Sequence, residues 1–421
     1  MDHVLVAGIS TRAIAESAGR AGFEVTALDA FGDLDQHAAV QVETLDDKFT
    51  ARAAALATRR IDCDAVAYLS NFENHPRAIE TLARGRALWG NTPQTVRRVR
   101  DPLLLAETLR KRGFKTPEVR LEPDTTPVIE PDTTPVIEPG ARPVIEPGAT
   151  ESYVVSGFSR TTGGDLRDWL VKPLASGGGQ HIKDWDGTWP LPRGTYLQEF
   201  IDGTPGSIVF VAAAGRVVPL GISLQLIGQP AFGAEGYQYC GNILTGAGDP
   251  HLPHDEALVD TAKALASAVA DAFGLVGVNG IDFVVHDGVP YPIEVNPRWC
   301  ASMELVERAY HLSVFRVHAS ACSEGILPDF DLVRARQRGR TVGKAVVYAR
   351  REVTVGDTRT WLTKHESIRD IPRPDTRIPS GKPVCTIFAE GPDGSTCHDA
   401  LIQRAHTVYA QLEAWSAQPR T

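Results

Sequence analysis

Residues 280–298 read GIDFVVHDGVPYPIEVNPR. Two β-rich runs, Gly280 to His286 and Tyr291 to Asn296, flank Asp287-Gly288, a dipeptide that favours the tight turn of a hairpin. Side chains two apart on a strand share a face, so Glu294, Asn296 and the entering Arg298 project together. Asp282 lies on the partner strand and can stand beside them across the ladder. Ile281, Phe283, Ile293 and Val295 face the other way and are apolar, as in a packed hairpin. The plainer alternative, a solvated polar face on an edge hairpin, is weakened by that apolar side. Two carboxylates and an amide oxygen on one face form a hard oxygen set suited to Mg²⁺.

Upstream, Val4 to Ala7 reads as a buried strand, Gly8 to Arg12 as a tight turn, Ala13 to Gly22 as a helix and Phe23 to Leu28 as a second strand. Ala65 to Leu69 is a further strand, with Ser70-Asn71-Phe72-Glu73-Asn74 at its C-terminal end. This series predicts a parallel, doubly wound sheet. A helix from Pro102 to Arg112 follows. PDTTPVIE then occurs at Pro123 to Glu130 and Pro131 to Glu138, and drifts to PGARPVIE from Pro139 to Glu146. Its prolines remove backbone donors and predict an extended, solvated, low-complexity insert.

Past the insert the pattern is mainly β. Val171-Lys172-Pro173 leads into Ser176-Gly177-Gly178-Gly179. Glycines let backbone N–H groups approach phosphate oxygens, and a strand-end lysine adds a point charge. Taken alone, such a run is equally an ordinary flexible loop. It is not a P-loop, because Gly343-Lys344 and Gly381-Lys382 are followed by Ala and Pro rather than Ser or Thr. Thr195 to Ile201 reads as a strand, Ser207 to Leu224 as a hairpin about Ala214-Gly215, Glu256 to Phe273 as a helix, and Ser302 to about Ser323 as one long helix. The expected organisation is a first domain over 1–95, a second over 96–330 with an insert at 122–150, and a small, mostly β C-terminal domain over 331–421.

Composition narrows the function. The 421 residues suggest two to four domains, and a formal charge of −9 argues against a dedicated nucleic-acid binder. Six scattered cysteines without a CxxC pair fit a reducing cytoplasm better than a zinc or disulfide scaffold. The start MDHVLVAGIS does not read as a signal peptide, and no apolar run is long enough to span a bilayer. Two weaker candidates for substrate contact are Ser10-Thr11-Arg12, at a helix start, and the turn Phe72-Glu73-Asn74. Tyr237, Tyr239 and Asn242 are candidates near an acceptor site. Cys240 and Cys300 read as packed thiols.

Four motifs in order carry a family resemblance: Lys172 with Ser176 to Gly179, Leu197-Gln198-Glu199-Phe200-Ile201, GIDF at 280–283, and EVNPR at 294–298. Together they resemble the ATP-grasp superfamily over roughly residues 1–330, most of all its predicted ATP-dependent carboxylate–amine ligases. The tyramine–glutamate ligases of methanofuran biosynthesis are a more distant comparison. The resemblance implies α/β and α+β domains: an N-terminal Rossmann-like parallel sheet, then a two-subdomain nucleotide clamp. It implies ATP phosphate held by Lys172 and the Ser176, Gly177, Gly178 and Gly179 loop. Adenine would lie on the hinge Gln198, Glu199, Phe200 and Ile201, with Gln198 or Glu199 available to its amino group. Asp282, Glu294 and Asn296 would hold Mg²⁺, or Mn²⁺ in its place, and Arg298 and Lys172 would act on the transferred phosphoryl. The implied partners are small-molecule carboxylates and amines, with neither nucleic acid nor membrane, and a homodimer is compatible. One departure stands out: the usual first ATP lysine follows an aspartate, but here Asp101 is followed by Pro102, with Arg100 and Lys115 the nearby cations. The implied activity is a cytoplasmic ligase that joins a carboxylate to an amine. Alternatives are a biotin carboxylase-like enzyme, suggested by Ile378 to Val384, a non-catalytic nucleotide-binding regulator and, least favoured, a nicotinamide oxidoreductase.

Overall fold

The computed structural model describes residues 2–45, 49–121, 168–249, 255–364 and 367–417. The proline-rich repeats, and with them the expected insert at 122–150, lie outside the described residues. The N-terminal strands β1 (His3–Ala7), β2 (Glu24–Asp29), β3 (Val40–Thr44), β4 (Ala65–Tyr68) and β5 (Ala87–Leu88) form a parallel sheet in the order β3-β2-β1-β4-β5. The inner strands β1, β2 and β4 carry apolar runs that follow from burial on both faces, whereas the edge strands β3 and β5 are partly exposed. Val4 and Val6 pack with Ile14 and Ala18 of α1 (Arg12–Arg20). Leu5 and Ala7 pack with Ala54 of α2 (Ala51–Ala57) and Ile79 of α3 (Pro76–Leu82).

Two short helices lead out of this sheet, α4 (Pro93–Val99) and α5 (Pro102–Lys111). The Asp101 carboxylate accepts the N–H groups of Leu103 and Leu104, both at 3.0 Å, and Pro102 occupies the first helical position. Proline suits that position because no intrahelical donor is needed there. A smaller antiparallel sheet then combines β6 (Val119–Arg120), β7 (Trp169–Pro173), β8 (Lys183–Asp184) and β9 (Thr195–Glu199) in the order β6-β9-β7-β8.

The largest sheet begins with β10 (Thr204–Ala213), β11 (Arg216–Ile227), β12 (Tyr239–Leu244), β13 (Gly277–His286), β14 (Val289–Asn296) and β15 (Thr341–Tyr348). The later strands are β16 (Val353–Thr354), β17 (Ile368–Arg369), β18 (Arg377–Ile378) and β19 (Pro383–Gly391). Its order is β14-β13-β10-β11-β12-β15-β19-β17, so strands from the segment after residue 331 extend the same sheet that carries the 280–298 hairpin. β16 and β18 pair separately. On one face Ile208, Phe210, Ile281, Phe283 and Val295 pack against Leu258, Leu265 and Val269 of α6 (Asp255–Phe273).

The single helix expected from Ser302 to Ser323 is two helices, α7 (Met303–Tyr310) and α8 (Val314–Ser323). His311 adopts a left-handed φ of 55° between them. The buried Glu307 carboxylate accepts the Val314 N–H at 2.9 Å and so starts α8. After α9 (Leu332–Arg338), the long C-terminal helix α10 (Gly394–Ala417) packs Leu401, Ala405 and Val408 against Val347 and Ile387.

Arg12, a candidate for substrate contact in the sequence, is taken up by partners within the chain. It is 1% exposed and pairs with Glu304 at 2.7 Å and Asp370 at 2.8 Å, joining the first helix to α7 and the C-terminal strands. Thr11 is held in turn by Asp29. Buried charge of this kind needs its partners on the spot, and they complete its valence here.

His318 of α8 is buried. Its Nδ1 accepts the Val278 N–H at 3.0 Å, which leaves Nε2–H to donate to the Trp89 carbonyl at 3.2 Å. Burial lowers its pKa from 6.5 to about 4. Above pH 6.5 the ring is neutral folded and unfolded. As pH falls from 6.5 toward 4 only the unfolded chain gains the proton, so this contribution to stability is lost. Asp282 titrates in the opposite sense over the same window, so the informative quantity is the difference between wild type and His318→Gln. Wild type should lose more melting temperature than the variant between pH 7 and pH 4.5; parallel profiles would contradict this assignment.

Candidate active site

The hairpin forms as its sequence requires. Asp282 and Glu294 are direct cross-strand partners, as are Gly280 and Asn296. The register shifts just after Asp282, so that Phe283 stands opposite Pro292 and Ile293 is the extra residue. Such bulges re-aim side chains, and here the freed Ile293 carbonyl accepts the Gln198 amide at 3.3 Å.

Asp282, Glu294, Asn296 and Arg298 are brought together. Asp282 accepts from Asn296 Nδ2 at 2.9 Å and from Gln225 Nε2 at 2.8 Å. Arg298 donates from Nη2 to Asn296 Oδ1 at 3.1 Å and from Nε to Glu73 Oε1 at 2.8 Å. Burial, and then the neighbouring Glu294 charge, raise the Asp282 pKa to about 7. Burial would raise Glu294 as well, but Arg100 and then Lys172 hold it below the usual carboxylate range. The same contest at Glu73 is settled by Arg298, which keeps that carboxyl low.

Lys172, at the end of β7, donates to Gln198 Oε1 at 2.9 Å. It lines a cleft with Arg100, Ser176, Tyr196 and Glu294. A neighbouring cleft is lined by Leu105, Leu109, Val119, Gln198 and Ile293. The hinge side chains Gln198 and Glu199 are both engaged within the protein, since Glu199 Oε2 accepts the Glu118 N–H at 2.8 Å. Phe200 donates its N–H to the Asp168 carbonyl at 2.6 Å. The Glu199 N–H is likewise spent within the protein, on the Glu118 carbonyl at 2.8 Å.

The glycine loop touches two elements. The Ser176 carbonyl accepts from Arg100 Nη2 at 3.2 Å and Asn74 Nδ2 at 3.4 Å, while the Gly178 carbonyl accepts the Tyr239 N–H at 3.0 Å. Gly179 has φ +71°, and a Cβ there would stand 1.8 Å from the Tyr237 carbonyl oxygen. Left-handed φ alone costs a residue with a Cβ about 1–2 kcal/mol. Gly179→Ala should lift the loop, seen as faster proteolysis near it and about tenfold weaker nucleotide binding. Unchanged proteolysis and binding would show that the loop does not need this seat.

Sequence reasoning underrated Arg100. It ion-pairs with Glu294, and it donates to Asn74 Oδ1 at 3.4 Å. Its sole local signal was position, just before the Asp101 cap. Lys115, the other nearby cation, stands over the Tyr291 ring instead. Gln225 was missed altogether; its face becomes visible only through the β10–β11–β13 register. Tyr239 bonds Asn242, whose amide continues to Ser223 at 3.0 Å and on to Ser207 at 3.0 Å, opposite Asp282. Tyr237 instead donates to Asp184 at 2.6 Å. Cys240 and Cys300 are packed thiols pushed up to about 12 by burial.

Among the described residues, no three His, Cys, Asp or Glu side chains stand close enough to hold a metal by themselves. The Asp282, Glu294 and Asn296 set still fits a divalent cation that brings other oxygen ligands with it. Two opposed carboxylates, one pushed up to about 7 by burial and then by the charge of the other, form an arrangement that a cation relieves.

Residues 156–302 match the sequence model of a family described as an ATP-grasp domain. The chain is 20% identical to an uncharacterized protein of Methanocaldococcus jannaschii over 92% of this chain and 88% of that one. It superposes on carboxyaminoimidazole ribonucleotide synthase from Aspergillus clavatus, complexed with ATP, with TM-score 0.64 and 16% identity, covering 98% and 99% of the two chains. Against the L-amino acid ligase of Bacillus licheniformis the TM-score is 0.60 at 17% identity, covering 96% and 97%. Against pyruvate carboxylase of Rhizobium etli it is 0.67 at 13% identity over 96% of this chain, which spans 37% of the length of that one. The chain thus has the ATP-grasp fold, with the mixed α/β layout expected for it. No helix among the described residues is long and apolar enough to cross a membrane.

Proposed function

We propose that this protein is an ATP-dependent ligase that activates a carboxylate and joins it to an amine. The observation that supports this most is the meeting of Arg100, Lys172 and Glu294 in one cleft, next to Asp282, Asn296 and Arg298 on the same hairpin face. In-line phosphoryl transfer needs positioning and charge stabilisation rather than a dedicated nucleophile, and this face supplies both.

In this scheme the substrate carboxylate attacks the γ-phosphate and ADP leaves. The amine then displaces phosphate from the acyl phosphate to give an amide. Lys172 and Arg100 would bind phosphate oxygens, with Arg100 taking the part of the lysine whose place Pro102 holds. Arg298, fixed by Glu73, would bind the oxygens of the transferred group. Asp282, Glu294 and Asn296 would hold Mg²⁺, which supplies charge neutralisation at the phosphates when bound. The six free cysteines suit the reducing, cytoplasmic setting proposed for it.

Phosphate release with ATP and Mg²⁺, screened across amino acids and other amines, tests this reading. Release that depends on an amine supports it, whereas no nucleotide-dependent stabilisation together with stabilisation by NAD would overturn it. The superposition on pyruvate carboxylase favours one rival, a carboxylase in which bicarbonate is the activated acid. Turnover that requires bicarbonate and no amine would select that rival.

A further inference from the structure

The turn that follows β4 holds two buried acceptors with nothing to accept. Asn71 Oδ1 and Glu73 Oε2 are both inaccessible and lack a hydrogen-bond partner among the described residues. Glu73 is 3% exposed, and its orientation is fixed because Oε1 takes Arg298 Nε at 2.8 Å and Nη2 at 2.7 Å. Native structures rarely leave such groups unmatched, so each calls for an explanation. The turn also lies at the C-terminal end of a strand in an open parallel sheet, where such sheets take ligands.

We propose that Asn71 Oδ1 and Glu73 Oε2 form the subsite for the ammonium group of the amine substrate. This rests on the ligase reading for its role in the reaction, though not for the binding itself. The chemistry of the pair selects the ligand. Two acceptors, one on a carboxylate, repel anions and match a cation that brings several N–H donors. A primary ammonium has three such donors; a quaternary ammonium has none. Of the other polar residues of the turn, Asn74 is already spent on Arg100 and Ser176, and the Ser70 hydroxyl donates to Glu73 Oε1 at 3.4 Å. Because Glu73 also grips Arg298, an amine held on its second oxygen is placed beside the group proposed to hold the acyl phosphate. The Ser176 carbonyl accepts from Asn74 and from Arg100, which ties the glycine loop to this turn.

Thermal unfolding of the full chain in methylammonium chloride, against tetramethylammonium chloride and potassium chloride at matched ionic strength, tests the proposal. Methylammonium alone should give a saturable rise in melting temperature. Glu73→Gln, which puts an amide in place of the free oxygen, should weaken that response about tenfold or more. Asn71→Asp should strengthen it and Asn71→Leu should remove it, which decides the matter should Glu73→Gln fail to fold. Equal shifts in all three salts, or an undiminished response in Glu73→Gln or Asn71→Leu, would overturn the subsite. Calorimetric titration of the wild type with Mg²⁺ and ATP keeps the two proposals apart. Nucleotide binding without a methylammonium response refutes the subsite alone; the reverse refutes the ligase reading alone.

Discussion

Arg298→Lys should lower amine-dependent phosphate release about 10²–10³-fold, while affinity for ATP in the absence of the other substrates should change little. The expectation comes from geometry. Arg298 spends Nε on Glu73, an Nη2 hydrogen on Asn296 and an Nη1 hydrogen on the Trp299 carbonyl at 3.0 Å, and its Nη2 stands 2.7 Å from the same Glu73 oxygen as an ion pair. One Nη1 hydrogen remains for a ligand, in a plane fixed by the other contacts. A lysine ammonium keeps the charge opposite Glu73 but cannot hold that plane. The substitution therefore separates two roles. Were Arg298 only a partner for the buried Glu73, the lysine would preserve turnover and lose at most some stability. Arg298→Ala would separate nothing, because a buried carboxylate left unpaired is strongly destabilising by itself.

Glu294→Gln is the second large effect. Side-chain volume is kept, but Arg100 and Lys172 lose their shared counter-charge and the proposed cation site loses one of its two carboxylates. Turnover should fall about 10²-fold or more, and the Mg²⁺ concentration for half-maximal rate should rise. Asp282 gives the substitution a pH signature as well. Burial and the Glu294 charge raise it to about 7, so removing that charge lets it ionise at lower pH. Melting temperature measured from pH 5 to 8 should then depend less on pH in the variant than in wild type. Normal activity at limiting Mg²⁺ would exclude Glu294 as a ligand, and an unchanged pH profile would exclude its coupling to Asp282.

The hairpin was legible because its information is local. Alternation places Asp282, Glu294, Asn296 and Arg298 on one face, and Asp287-Gly288 sets the turn. The inner strands of the parallel N-terminal sheet were legible for a similar reason, since their buried runs leave no polar face to misread; the partly exposed edge strands β3 and β5, one half polar and the other two residues long, were not. Other features depend on residues far apart in the chain. Arg100 reaches Glu294 only because two capped helices turn the chain back over the cleft. Glu73 meets Arg298 across separate sheets, and the sequence pointed no further than an even choice between substrate contact and plain loop. Helical periodicity runs through His311, so only the Glu307 side chain capping Val314 reveals the break. Arg12 looked available at a helix start, and its neutralisation depends on Glu304 and Asp370, remote in sequence.

The most direct test of the central claim follows an oxygen atom. Turnover is run with ATP, Mg²⁺ and amino acids whose carboxylates carry ¹⁸O, and the released phosphate is analysed by mass. Activation through an acyl phosphate transfers one carboxylate oxygen to phosphate, so phosphate carrying a single ¹⁸O, formed with ADP, is the predicted result. Turnover that yields unlabelled phosphate, or AMP and pyrophosphate in place of ADP, would contradict the account.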